Sequence, residues 1–310
     1  MVAALVTHPA CLGHDAGEWH PECPDRLRTV LAALEVPEFS TLLRERAPRA
    51  TREQLALAHP MDYVDAILEI RPAAGELVPL DADTAMGAGS AEAALRAAGG
   101  AVMGVDAVMN GWARAVFVAV RPPGHHAEPR KPMGFCLFNN VAIAAQWARA
   151  KYGLRRVAVV DFDVHHGNGT QAMFWDDPGL FYASSHQSPC YPGTGDRQEA
   201  GCADNIVNVQ LAPYSDGSAF RTAWERTILP AVERYGPELL IVSAGFDAHK
   251  VDPLAQLQVE TSDFAWLTTE LVELADRCCA GRIVSVLEGG YDLTALGQCA
   301  VAHVRALMGT

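Results

Sequence analysis

Residues 159–170, with the sequence VVDFDVHHGNGT, join an apolar run to a cluster of acidic and histidine side chains. Asp161, Asp163 and His165 occupy alternating positions, so on an extended chain their side chains point to one side. Carboxylate oxygen and imidazole nitrogen are both ligands that Zn²⁺ accepts in proteins. The pattern predicts a metal-binding or catalytic site at the end of a buried strand.

Three further apolar runs are also followed by side chains that can titrate or bind a metal: His125 and His126 after residues 113–120, Asp247 after 238–245, and Tyr291 after 281–290. Glycines beside these groups permit tight turns. In open α/β sheets, ligands bind outside the carboxyl ends of the strands. Four such strand ends that all carry reactive side chains predict one shared site.

Asp163, His165 and Asp247 form a plausible set of three metal ligands. Two carboxylates and one imidazole suit Zn²⁺, and the fourth position stays open for water, as in catalytic sites. Taken singly, these residues have ordinary structural explanations. Asp163 could cap a helix, and His166 could support its neighbour through hydrogen bonds while facing away from it. Three other histidines are expected to be structural: His14, His59 and His303.

The elements that must position these side chains follow from hydrophobic patterning. Five runs predict strands buried on both faces: residues 1–7, 113–120, 155–162, 238–245 and 281–290. Helices are expected at 86–110, at 139–153 with Gly153 as a cap, at 261–281 closing on Gly281, and at 218–235 with an interruption at Pro230. The alternation predicts an α/β fold: a mostly parallel central sheet flanked by helices on both faces. No linker or repeat divides residues 1–310, so one domain is expected.

Composition and charge restrict the partners. The formal net charge of −13 argues against a nucleic-acid-binding surface but is compatible with a basic substrate. No window approaches eighteen apolar residues, so no membrane span is expected. The eight cysteines include no C-x-x-C pair, and the start MVAALVTHPA does not resemble a signal peptide. A cytoplasmic location is therefore expected, and a homo-oligomer is compatible with the sequence.

Together these motifs resemble the histone deacetylase family and its bacterial relatives, the deacetylase-like amidohydrolases. The resemblance covers nearly the whole chain, through HPECPDR (20–26), RPPGHH, GFCLFNN (134–140), DFDVHHGNGTQ, YPGTGD (191–196), SAGFDAH and LEGGYD. Asn168 stands where the class I branch carries an aspartate, which places the chain nearer to class II. The resemblance implies a single-domain arginase/deacetylase-like fold and hydrolysis of an acetyl amide.

The resemblance also implies a role for each residue of the predicted site. One Zn²⁺ per subunit would be held by Asp163, His165 and Asp247. Five further residues would take catalytic roles: His126 as the general base, His125 as an electrostatic group that helps to protonate the leaving amine, Asp161 as the partner of His125, Asn168 as the partner of His126, and Tyr291 as the donor to the developing oxyanion.

Family members further suggest a substrate channel, an internal pocket and a structural cation. The channel would be lined by Gly134, Phe135, Tyr191 and Leu254, with the aromatic rings on either side of an alkyl chain. Arg26 matches an arginine of the internal pocket through which acetate could leave. A K⁺ ion would bind the side chains of Asp161 and Ser184, together with the backbone carbonyls of Asp163, His165 and Ser185.

The substrate could be acetyl-lysine in a protein or peptide, or a related N-acetyl amine. Leu254 favours acetyl-lysine, because the polyamine-selective class II branch has an acidic side chain at the matching position. An acetylpolyamine amidohydrolase remains an alternative, with Asp81 or Asp83 as rim carboxylates. A binuclear manganese ureohydrolase is a remote alternative, because position 249 is His where a second aspartate would be needed. A non-catalytic acyl-lysine binder is another.

Overall fold

Eight strands form the central sheet of the computed structural model, which describes residues 2–309. In chain order they are β1 (Ala3–Thr7), β2 (Leu43–Arg46), β5 (Ala115–Val118), β6 (Val157–Asp161), β7 (Leu180–Gln187), β8 (Ile206–Leu211), β9 (Leu239–Ala244) and β10 (Ile283–Leu287). Their spatial order is β2-β1-β5-β10-β9-β6-β7-β8, and every pairing is parallel. A separate antiparallel pair joins β3 (Val78–Pro79) to β4 (Ala85–Met86).

Ten α-helices connect these strands: α1 (Pro24–Ala33), α2 (Arg52–Leu55), α3 (Met61–Glu69), α4 (Ser90–Met109), α5 (Asn140–Tyr152), α6 (Asn168–Phe174), α7 (Gly217–Ala223), α8 (Leu229–Tyr235), α9 (Thr261–Cys278) and α10 (Leu293–Met308). Helices α4 and α5 pack together against one face of the sheet, whereas α1, α9 and α10 pack together against the other. An all-parallel sheet is normally covered by helices on both faces, as this one is. The predicted fold class is confirmed.

The five predicted strands are all present, although Met1 of the first lies outside the described residues. Every residue of β5, β6, β9 and β10 is buried, which explains their continuous apolar sequences. Two glycines let α4 approach this sheet closely. A β-carbon on Gly100 would lie 2.9 Å from Val118, and one on Gly104 would lie 2.8 Å from Val284.

The ends of α5 and α9 and the interruption before α8 lie at or near the glycines and the proline that predict them. Gly153 has the left-handed conformation (φ 68°) that ends α5, as predicted. Helix α9 ends at Cys278, three residues before Gly281, which is left-handed beyond the cap. The interruption near Pro230 is a π-helical turn over Trp224–Ile228 between α7 and α8. Because proline lacks a backbone N–H, a wider turn just before it accommodates the missing hydrogen bond.

The expectation that Asp161, Asp163 and His165 share one face of an extended strand is wrong in detail. Strand β6 ends at Asp161, and the other two residues lie in the bends that follow. The Asp161 carboxylate accepts the N–H of Asp163 (3.1 Å), and the Asp163 carboxylate accepts the N–H of His165 (2.9 Å). Aspartates that bond two residues ahead in this way turn the chain. The side chains still converge, but through consecutive turns.

Strand order explains why the predicted groups come together. Strands β5, β10, β9 and β6 are adjacent in the sheet, and all run in the same direction. The loops after them therefore leave the same edge of the sheet, next to one another. Within residues 2–309 no helix is both long and apolar enough to cross a membrane.

Candidate active site

Asp163, His165 and Asp247 place three ligand atoms within 4.8 Å of one another. The His165 Nδ1 atom lies 3.0 Å from an oxygen of Asp163 and 3.1 Å from an oxygen of Asp247. All three residues are buried. In the part of the chain that the structure describes, this is the single cluster of histidine, cysteine and carboxylate side chains with metal-binding spacing.

The surroundings of this set fit a bound cation. Burial and the charge of Asp163 raise the pKa of Asp247 to about 7, although the contact with His165 acts in the opposite direction. A cation held between the two buried carboxylates would relieve their repulsion. The remaining oxygens are held by backbone N–H groups, of Gly289 to Asp163 (2.8 Å) and of Val164 to Asp247 (2.9 Å). A β-carbon on Gly289 would overlap both carboxylates. The donor set and its fixed orientation suit Zn²⁺.

The two consecutive histidines lie beside this set, each with its own partner. Their ring centroids are 4.0 Å apart. His125 Nδ1 is 2.9 Å from a carboxylate oxygen of Asp161, and His126 Nδ1 is 2.8 Å from the side-chain oxygen of Asn168. The carboxylate of Glu288 accepts the N–H groups of Gly124 (2.6 Å) and His125 (3.2 Å), which anchors the backbone of the pair.

The two imidazoles have opposite pKa shifts. Burial opposes the charged form of His125, but the negative charges of Asp163 and Asp161 outweigh it and raise the pKa to about 10. Burial lowers the pKa of His126 well below its usual value, and the charge of His125 lowers it further. One ring of the pair is therefore protonated at neutral pH, and the other is neutral.

A cavity of about 210 Å³ leads to these groups. Its walls contain all four residues predicted for the channel, namely Gly134, Phe135, Tyr191 and Leu254. They also contain four other side chains: His126, His165, Tyr291 and Asp83. Gly134 has a φ of 56°, and a β-carbon there would overlap the ring of His126. Glycine is therefore required where the channel wall contacts the imidazole.

Arg26 is fully buried behind Tyr291 and is not among the residues that line this cavity. Its guanidinium donates to the carbonyls of Gly290 (2.6 Å) and Glu288 (2.5 Å) and lies 4.7 Å from the ring centroid of Tyr291. Glu22 pairs with Arg26 at 3.1 Å. Arg26 therefore supports the loop that carries the tyrosine, and its role in acetate release stays a prediction.

Asp161 and Ser184, the two side chains predicted for K⁺, are paired across β6 and β7. The Ser184 hydroxyl is 2.9 Å from His186 Nδ1. One Asp161 oxygen also accepts the hydroxyl of Tyr182 at 3.1 Å. The two groups are neighbours, and the cation itself stays a prediction.

His166 is supported through both ring nitrogens, by Thr194 (2.7 Å) and Gln171 (2.8 Å), in agreement with its expected structural role. The structural interpretation of the remaining three histidines also agrees with their contacts. His14 and His303 contact hydroxyl groups inside the protein, and His59 contacts backbone groups.

Sequence reasoning missed four acids that fix the site. Glu22 and Glu288 lie inside the HPECPDR and LEGGYD motifs, so those motifs carried a signal. The other two acids lie outside these motifs. Glu128 accepts from the side chain of Asn168, and Asp252 accepts from the backbone of Tyr291. The sequence predicts Asp83 only as a carboxylate at the rim of the channel. Its carboxylate accepts the N–H of Gly134 at 3.2 Å in the channel wall.

A parallel α/β sheet whose strand ends combine a carboxylate–histidine set, a histidine pair and a tyrosine at one narrow cavity defines a hydrolytic enzyme. The chain belongs to the histone deacetylase family, because residues 20–307 match the histone deacetylase domain. It is 39% identical to "Histone deacetylase 14, chloroplastic" of Arabidopsis thaliana, over 97% of this chain and 75% of that protein. It is 38% identical to the "Histone deacetylase-like amidohydrolase" of Pseudomonas aeruginosa, over 99% of this chain and 80% of that protein.

Structural comparison agrees with this assignment. The crystal structure of the HDA15 HD domain superposes with a TM-score of 0.93 at 34% identity, and the match covers 99% of this chain and 88% of that one. Family membership and these relatives support a deacetylase activity. The cytoplasmic location stays a prediction, since one of the relatives is named as chloroplastic.

Proposed function

We propose that this protein is a zinc-dependent deacetylase that hydrolyses the acetyl amide of acetyl-lysine in a protein or peptide, or of a related N-acetyl amine. One observation carries the proposal. His126, His165 and Tyr291 lie on the wall of the same cavity, so a base, a metal ligand and an oxyanion donor can reach one substrate carbonyl.

Asp163, His165 and Asp247 would hold the metal, one ion per subunit. When bound there, Zn²⁺ supplies Lewis-acid polarisation of the carbonyl and lowers the pKa of water from 15.7 to about 7. The two carboxylates need little rearrangement to receive it, since backbone N–H groups already orient their outer oxygens.

His126 would be the general base that takes a proton from the attacking water. Its low pKa keeps the imidazole neutral, and Asn168 engages Nδ1, which leaves Nε2 free to accept. His125 is the complementary group. Its raised pKa keeps it positively charged through the contact with Asp161, so it would stabilise negative charge and help to protonate the departing amine.

Tyr291 would donate its hydroxyl to the oxyanion that develops on the carbonyl. Burial raises its pKa well above 10 although the charge of Arg26 acts in the opposite direction, so the hydroxyl keeps its proton. A donor already placed where charge develops is among the strongest contributions to catalysis. Arg26 would also assist acetate release, and Asp161 with Ser184 would hold a structural K⁺.

Phe135 and Tyr191 would flank the alkyl chain of the substrate, with Leu254 as an apolar edge. An acetylpolyamine is the second candidate, because the Asp83 carboxylate lines the same cavity and could attract an ammonium group. That carboxylate, however, also accepts the N–H of Gly134 and the hydroxyl of Thr84 (3.0 Å). Acetyl-lysine is the favoured substrate, because the side chain of Leu254 gives the cavity wall an apolar edge and no charge.

The test is release of acetate from acetyl-lysine peptides and N-acetylated polyamines by the protein before and after chelation. We expect activity to disappear on metal removal and to return with Zn²⁺ or Co²⁺. Full activity in a chelated, metal-free sample would contradict the mechanism. Two manganese ions per subunit would favour a ureohydrolase, and a zinc-loaded protein without activity on any amide would favour a binding protein.

A further inference from the structure

The side-chain amide of Asn168 connects His126 to an acid that lies outside the substrate channel. Its oxygen is 2.8 Å from His126 Nδ1, and its nitrogen donates to Glu128 Oε1 at 2.8 Å. The same nitrogen lies 3.4 Å from the sulfur of Met133. Asn168 and His126 are both buried, so their polar atoms depend on these partners.

The chemistry of these neighbours decides which way the amide faces. An ionised carboxylate and a thioether can only accept hydrogen bonds, so the NH₂ group of Asn168 must face Glu128 and Met133. The carbonyl oxygen of Asn168 then faces His126. Because that oxygen can only accept, the hydrogen of the neutral imidazole must be on Nδ1. The other ring nitrogen, Nε2, is left with a lone pair.

We propose that Glu128 is a positioning residue that sets the tautomer of His126 by fixing the orientation of the Asn168 amide. The inference rests on the proposed function, in which His126 is the general base. A base must present a lone pair to the water. With the amide reversed, its NH₂ group would face Nδ1, so the hydrogen would move to Nε2 and the base would be blocked.

Glu128 is well placed to act in this way without touching the substrate. Its backbone pairs with that of Lys131 in a short bridge, with the Glu128 N–H donating at 3.0 Å. The side chain lines a second cavity of about 410 Å³ with Asn168 and Asp176, and it is not among the residues that line the channel cavity. Substitution of Glu128 should therefore leave the channel walls unchanged.

The first test is Glu128→Gln, which keeps the shape of the side chain. Its amide can donate as well as accept, so both orientations of Asn168 become satisfied and part of the population carries the wrong tautomer. We expect kcat to fall roughly two- to tenfold, since an even mixture of orientations removes about half of the active tautomer, with KM within about twofold. Asp176→Asn is the matched control, because it removes one charge from the same cavity and Asp176 is not a partner of Asn168 among the described residues.

The second test exchanges the two partners. Asn168→Asp alone places a carboxylate against the carboxylate of Glu128. Glu128→Lys alone places a donor against the NH₂ group of Asn168, which favours the reversed amide. Each single variant should therefore lose at least about tenfold in kcat. In the double variant, a lysine can donate to the new aspartate, which accepts from His126 Nδ1 on its other side. We expect the double variant to be more active than either single variant. If it is no more active than the better of the two single variants, the proposed arrangement is wrong.

The third test reads the tautomer without using activity. Histidine labelled with ¹⁵N distinguishes a hydrogen on Nδ1 from one on Nε2 by long-range proton–nitrogen couplings, and the His126 signals are identified as those lost in His126→Ala. We expect the Nδ1–H form in the wild type and in Asp176→Asn, and a mixture of forms in Glu128→Gln. An unchanged Nδ1–H signal in Glu128→Gln would overturn the inference. A wild type inactive on all acetyl amides would instead overturn the proposed function, while the spectra would still decide the role of Glu128.

Discussion

The carboxylate of Asp252 accepts the backbone N–H of Tyr291 at 2.7 Å. Its other oxygen accepts the N–H of Leu254 at 3.0 Å, so one buried side chain holds both the loop of the oxyanion donor and the loop of the channel edge. These loops follow β9 and β10, which are neighbours in the sheet. The position of the Tyr291 hydroxyl therefore depends on an acid 39 residues earlier in the chain.

Asp252→Asn should reduce kcat by roughly 5- to 100-fold, because an amide cannot accept from both N–H groups in the way that a carboxylate does, and the lost bond is worth about 1–3 kcal/mol. Metal content should not change, since Asp163, His165 and Asp247 are intact. The measurement is steady-state kinetics with zinc analysis. Asp276→Asn is the control, because this exposed acid of α9 pairs with Arg114 just before β5 and has no contact with Tyr291. Wild-type kcat in Asp252→Asn would show that Tyr291 does not depend on this contact.

Tyr291→Phe should keep the fold and the metal but lower kcat by roughly 10²–10³-fold, the usual loss for one oxyanion donor. The aromatic ring is retained, so its packing against the Arg26 guanidinium at 4.7 Å is preserved. Kinetics and metal analysis on the same preparation check the prediction. A change below about threefold with an unaltered fold would mean that the hydroxyl does not meet the substrate.

The parts of the fold that could be predicted are those buried on both faces. Strands β5, β6, β9 and β10 appear in the sequence as continuous apolar runs, whereas β7 and β8 were not predicted. Strand β7 is equally buried but ends in Ser-Ser-His-Gln, whose polar groups are satisfied by hydrogen bonds that no sequence pattern reveals. Polar side chains near a site interrupt the apolar run by which a buried strand is recognised in the sequence. Strand β7 therefore could not be predicted, although it is fully buried.

The candidate site also contains residues that the sequence predicts and residues that it does not. Asp163, His165 and Asp247 could be placed together because each follows a strand end, and parallel strands bring their carboxyl ends to one edge. The contacts of Glu128 and Asp252 depend instead on how two loops fold against each other. Sequence spacing carries no information on which carboxylate reaches which amide across a loop.

Stability should fall as the pH decreases below about 6.5. Burial lowers the pKa of five histidines to values between about 3 and 4: His14, His59, His166, His186 and His303. Between the folded and the unfolded pKa, the unfolded chain binds a proton that the folded chain does not. In this range, each such histidine lowers the free energy of unfolding by about 1.4 kcal/mol for every unit by which the pH falls. Their stability contribution is present above pH 6.5 and is lost as the pH falls towards the folded pKa values of about 3 to 4.

His303 isolates this effect because it lies away from the site, between the hydroxyls of Thr268 (2.7 Å) and Ser285 (2.8 Å). In His303→Gln, the free energy of unfolding should change less steeply with pH, by about 1.4 kcal/mol per unit below pH 6. Denaturant melts at several pH values give this slope. The difference from wild type at pH 7.5 measures the packing cost alone, and parallel curves at lower pH would contradict the assignment.

Leu254→Glu should shift substrate preference towards N-acetylated polyamines. The wild-type side chain lines the cavity and offers an apolar edge to the alkyl chain of acetyl-lysine, so we expect acetyl-lysine peptides to have the higher kcat/KM. A carboxylate at this position can pair with a substrate ammonium, which should move the ratio of kcat/KM values by ~1–3 kcal/mol. Val251→Glu is the control, because it adds the same charge on the same loop at an exposed position that does not line the cavity. A wild-type preference of tenfold or more for acetylspermidine or acetylputrescine would contradict the prediction. Asp83, the acid in the cavity wall, would then be the group expected to bind the substrate ammonium.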